Sequence, residues 1–174
     1  MGVWSPDPVL STVAPIGLAA AAGTALIVDL ATTTAVTGRT LADLVSDGPK
    51  LAELSPGRPG IAFIAGGNVD RIDGFEMLRQ LAAHWPAVVI RVDDTGLPFP
   101  TVPVIPLFPG RLAPSTPMNH GVWQPVGAGV EPPGPGPVLP RLRGGVARRM
   151  LSGHLPRRSR WISAWPPVWG MPWA

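Results

Sequence analysis

Three short, almost wholly apolar runs constrain this chain more than any other feature: residues 26–30 (Leu-Ile-Val-Asp-Leu), 61–65 (Ile-Ala-Phe-Ile-Ala) and 87–92 (Ala-Val-Val-Ile-Arg-Val). A strand with one wet face alternates apolar and polar residues, whereas a strand covered on both faces, as in a parallel sheet, does not. Helical patterns fall between the runs. Residues 9–22 are alanine-rich and uncharged, and Pro15 must sit near the first turn of that helix or kink it. Thr40 opens a second helix as N-cap, with Asp43 three residues on and Gly48-Pro49 to close it. Asp70 or Asp73 starts a third that brings Phe75, Leu78, Leu81 and Ala82 to core spacing and stops at Pro86. Strand and helix in alternation imply right-handed crossovers. The prediction is therefore a three-layer α/β fold, a mostly parallel sheet with helices on both faces. A short strand around Gly2 to Trp4 begins it, and residues 102–108, which contain prolines, add an edge strand.

Beyond Phe108 the periodicity stops and the composition changes. Thirteen of the 24 prolines lie there, and Pro132-Pro-Gly-Pro-Gly-Pro137 can form neither helix nor ladder. Charge divides at the same point: residues 1–108 hold six cations against ten acids, and the remainder holds eight arginines against Glu131 alone. The sequence thus divides into an α/β body at 1–108, a Pro/Gly-rich linker at 109–140 and a basic tail at 141–174. In the tail only 145–155 has a helical pattern, with Val146, Met150 and Leu151 on one side. Arg141, Arg143, Arg148, Arg149, Arg157, Arg158 and Arg160 are followed by Trp161, Trp165, Trp169 and Trp173, spaced by four through Pro166 and Pro167. Arginine with tryptophan suits a protein partner, a lipid headgroup interface or stacking on nucleobases, and the same rings could instead lie on the acidic body as a strap.

Four segments give the first half of the chain a family resemblance. Residues 5–22 stand where a phosphate loop and its helix would be; Leu26-Ile-Val-Asp-Leu30 looks like a second strand; Thr40-Leu-Ala-Asp-Leu-Val45 resembles an "LxDLL" helix; Gly60-Ile-Ala-Phe-Ile-Ala-Gly66 is similar to a "GLxVLPAG" strand. In this order they resemble the MinD/ParA-type P-loop ATPases. A phosphate loop needs glycines to wrap the phosphates, a lysine and a magnesium-binding hydroxyl. Here Ser5-Pro-Asp-Pro-Val-Leu-Ser-Thr12 has no glycine and no lysine, Asp7 adds negative charge, and only Thr12 stands in a plausible place. The family's "DxD" is reduced to Asp29-Leu30-Ala31, and Arg91 falls where the family has a magnesium-linked aspartate. The resemblance implies a degenerate, CpaE-like relative that keeps the sheet and lacks nucleotide chemistry.

Other constellations are weaker. Asp29 and Asp93-Asp94 end strands where open α/β folds bind ligands, yet acids also end strands as turn formers, and no His, Ser or Lys motif partners them. His84, His120 and His154 lack ligand spacing. Gly66-Gly67-Asn68 reads as a turn. The absence of cysteine excludes disulfides, thiolate metal sites and cysteine nucleophiles. No catalytic residue, cofactor, metal or small-molecule substrate is expected. The sequence points to a non-enzymatic, cytoplasmic adaptor or regulator acting through its basic aromatic tail on another protein, with a P-loop ATPase as one candidate; an anionic membrane surface and nucleic acid are the alternative partners.

Overall fold

A computed structural model describes residues 1–32, 38–93, 98–110 and 120–173. Its elements run β1 (Gly2–Trp4), α1 (Pro8–Ala22), β2 (Ala25–Asp29), α2 (Leu41–Asp47), α3 (Leu51–Leu54), β3 (Ile61–Ala65), α4 (Arg71–His84), β4 (Val88–Arg91), β5 (Thr101–Leu107), β6 (Val122–Pro125), α5 (Gly144–Leu151), α6 (Arg160–Ser163) and α7 (Pro166–Trp169). The six strands form one sheet in the order β3-β2-β4-β1-β5-β6, and every pairing is parallel.

The three apolar runs become β2, β3 and β4, but only β2 and β4 are covered on both faces; β3 lies at the sheet edge with Phe63 59% exposed. Ala25 and Ile27 of β2 and Val89 of β4 point into a core shared with α1, α5, α6 and α7. Leu26 and Val28, with Val88 and Ile90, point the other way, into a core built with α2 and α4. The protein is thus a three-layer α/β fold. Local signals set the helix starts. Asp7 caps α1 by accepting from Leu10 N at 2.8 Å, the Thr40/Asp43 capping box opens α2, and Asp70 caps α4.

Several expectations change. α1 begins at Pro8, so Pro15 lies in the helix interior rather than its first turn. Ala82 is exposed, and Met77 joins Leu78 and Leu81 in the core instead. Leu151 is exposed as well, and Ala147 takes its place beside Met150. The strand expected at the sheet edge, β5, is interior, lying between β1 and β6. Its Pro103 and Pro106 are three apart, so their missing donors face opposite neighbours; Pro103 precedes the pairing with β6, which starts at Val104, and Pro106 follows the pairing with β1, which ends at Pro103.

The largest change concerns the chain after Phe108, where no strand was expected. Val122–Pro125 extends the sheet, and the proline-rich stretch then runs beside it: Trp123 N donates to Pro137 O and Leu139 N donates to Trp123 O, both at 2.9 Å. Gly136, with φ of 138°, is needed there because a Cβ would collide with the carbonyl oxygen of Gly121. Residues 141–173 then cross back over α1. Trp161, Trp165 and Trp173 are 2%, 0% and 8% exposed and belong to the same core as Val13, Ala14 and Leu18. Of the open alternatives for the tail, the strap is the arrangement the chain adopts.

Candidate functional site

In a parallel sheet the strands' carboxyl ends and the following helix N-terminus form the natural ligand crevice, since backbone N–H groups and the helix dipole converge there. Here the chain's own charges occupy the ends of β2 and β4 next to α1, while a cavity of about 270 Å³ stays open beside them between Leu30, Gly67, Asp70, Phe75 and Asp93. Asp7, a fixed carboxylate, already occupies the amino end of α1. Arg91, at the end of β4, pairs with Asp29 at the end of β2 (Nη1 to Oδ2, 2.9 Å), and its Nε donates to Ser11 Oγ of α1 at 3.1 Å. Asp29 also accepts from Thr32 Oγ1 and Ala31 N. All of Asp29's neighbours are thus internal. Thr12, the one hydroxyl in place for a phosphate loop, donates back to Pro8 O at 3.0 Å.

The remaining sequence candidates scatter. Asp93 is exposed, its carbonyl oxygen accepting from Trp4 Nε1 at 2.9 Å, and Asp94 lies outside the described residues. His84 Nδ1 sits 2.9 Å from Gln80 O, His154 folds onto Ser152, and His120 stacks on Trp173 with ring centroids 4.7 Å apart. Among the described residues, no group of three or more His, Asp or Glu side chains stands close enough to hold a metal ion. Gly66 and Gly67 form a turn that packs against Leu30 and Thr40.

The tail separates into its two ingredients. Its tryptophans face inward. Trp161 Nε1 donates to Gln124 Oε1 of β6 at 2.6 Å, Trp169 Nε1 to Leu18 O at 2.9 Å, and Trp173 Nε1 to Val168 O at 2.8 Å. Trp165 meets Trp161 edge-on, with centroids 5.1 Å apart, over Gly17 of α1, whose missing side chain leaves room for both rings. Gln124, which sequence reading missed, is 2% exposed and ties β6 to the tail: besides Trp161 it reaches Pro140 O through Nε2. A lone amide between Trp123 and Pro125 carried no local signal of that role.

The arginines face outward. All seven, from Arg141 to Arg160, are exposed, and among the described residues none forms a salt bridge with an acid. On α5, Ala147 and Met150 turn inward while Arg148 and Arg149 turn to solvent. No described helix is long and apolar enough to cross a membrane. The one resolved carboxylate shift lies elsewhere: hydrogen bonds from the backbone N–H and hydroxyl of Thr40 hold Asp43 below its ordinary 3.8. No protein-family model, curated protein or solved structure matches the chain.

Proposed function

We propose that this protein is a non-enzymatic adaptor that recognises an acidic protein partner through the arginines of residues 141–160. One observation carries the reading: seven exposed guanidiniums that form no ion pair among the described residues, held on a segment that buried indoles fix in place. Arginine presents a planar fork of donors suited to carboxylates, and pinning its backbone lowers the entropy lost on binding. The Arg91–Asp29 pair and the Asp7 carboxyl at the amino end of α1 support the non-enzymatic half of the reading, and with it descent from a nucleotide-binding fold that kept the sheet alone. Burial of three of the four tail tryptophans favours protein over nucleic acid or membrane, because base stacking and headgroup anchoring need rings open to solvent.

Native co-purification tests this. The full chain should capture an acidic protein at low salt and release it as salt rises, and the variant R143E/R148E/R149E/R160E should capture none while melting at the wild-type temperature. A partner retained equally by that variant would overturn the reading.

A further inference from the structure

The arginines are not spread evenly over the surface. Arg141 and Arg143, on the segment entering α5, and Arg158 and Arg160, at the start of α6, line one groove of about 900 Å³. Its floor is apolar, formed by half-buried Leu142 and Val146 and by buried Trp161. The floor's only indole N–H is already spent on Gln124. Gly144, the first residue of α5, also lines the groove, and Arg143 at the N-cap gives that helix no side-chain hydrogen bond, so the positive helix end adds to the charge of the rim.

A floor without free donors and a rim of four cations ask for different things from one ligand. The floor is satisfied by an apolar side chain; the rim, by carboxylates flanking it. A nucleic acid strand would supply charge for the rim but leave the floor unfilled, since Trp161 is only 2% exposed and offers no face for a base.

We infer that the groove is a recognition site for a short acidic peptide segment, one apolar side chain resting on Leu142, Val146 and Trp161 while flanking carboxylates pair with Arg141, Arg143, Arg158 and Arg160. This rests on the adaptor reading and narrows it to one place and one ligand class. Exposed single ion pairs contribute little, but four cations converging on one segment act together, and charge reversal replaces attraction with repulsion at the rim.

The test is fluorescence anisotropy on the full chain at about 0.15 M salt, where long-range surface attraction is screened. The probe is a dye-labelled peptide with a central leucine between paired aspartates and glutamates. Its comparisons are the same peptide with serine for leucine and an oligonucleotide of equal charge. R143E/R160E should weaken the leucine peptide at least 10-fold more than R148E/R149E does. R58E/R79E, with the same net charge change on the body, should leave binding within about twofold; thermal melts check that every variant is folded. The serine peptide should bind at least fivefold more weakly than the leucine one. Equal losses from R143E/R160E and R148E/R149E would overturn the groove while leaving the adaptor reading standing. Tighter binding of the oligonucleotide, no binding of either peptide, or self-association that the peptide fails to disrupt would overturn the groove as a peptide site, whatever co-purification returns.

Discussion

Alanine at position 17 should change the sign of its effect according to whether Trp165 is present. In an ordinary helix, Gly→Ala stabilises by about 0.5–1 kcal/mol, because glycine loses more backbone freedom on folding. Here a Cβ on Gly17 would lie 2.6 Å from Trp165 Cε2 and 2.8 Å from Trp161 Cζ3. Carbon atoms pack at about 3.5–4.0 Å, so the methyl overlaps two rigid, buried rings by about 1 Å. Overpacking of this kind costs about 1–3 kcal/mol. G17A alone should therefore destabilise by about 0.5–2 kcal/mol net, or about 1–8 °C in a chain of this size. W165A should cost about 3–5 kcal/mol through the cavity it leaves. In that background the methyl meets only Trp161, whose ring can shift into the cavity left by Trp165, so the helix preference returns and G17A should stabilise by about 0.5–1 kcal/mol. Denaturant midpoints of the four proteins give a coupling of about 1–3 kcal/mol. If G17A instead stabilises by the same amount, within about 0.5 kcal/mol, in both backgrounds, the tail does not sit on α1 and the strap is wrong.

Removing residues 141–174 should leave no cooperative thermal transition, since the deletion uncovers Leu10, Val13, Ala14 and Leu18 of α1; a truncated chain that melts cooperatively within a few degrees of the full one would contradict this. Titration calorimetry with magnesium-ATP should give no binding heat at millimolar nucleotide, and R91A should not create an ATP site, because Asp7 still occupies the end of α1; micromolar binding by either protein would refute this role of Asp7. Asp43, with its pKa lowered by Thr40, contributes stability above its unfolded value near 3.8 that is lost as pH falls through the lower folded value. A carboxyl ¹³C titration should therefore give a midpoint below 3.8, and T40A should raise it toward that value; an unchanged midpoint in T40A would sink the capping-box account.

What could be read from the sequence was local or two-sided. The runs that became β2 and β4 announced themselves because a strand buried on both faces cannot alternate, whereas the same pattern in β3 misled, since it lies at the sheet edge with Phe63 exposed. Thr40 and Asp43 were legible because a capping box spans three residues. What escaped was set by distant partners. Nothing in Val122–Pro125, with its glutamine and proline, distinguishes a sheet strand from a loop until β5 is beside it. Arg91 stood out as a departure from the resembling pattern, but its partner Asp29 lies 62 positions earlier. The tryptophans' spacing showed large rings in need of cover without saying whether the cover was another molecule. The prolines among them were no barrier, because Pro166 opens α7, where a missing N–H costs nothing. A glycine amid the apolar residues of α1 was the one local trace of the rings that cross it.

The hydrogen bond from Trp169 to the carbonyl of Leu18 joins positions 151 residues apart, so α1 is synthesised well before the segment that covers it. At a translation rate of about 5–20 residues per second, its apolar face waits on the order of 10–30 s for its roof. Contacts of such long sequence separation also close slowly. A nascent chain stalled before the tail emerges presents an uncapped apolar helix on an unfinished parallel sheet. That makes translation speed over the stretch between α1 and the tail, and chaperone supply during it, a control on how much of this protein reaches its folded state.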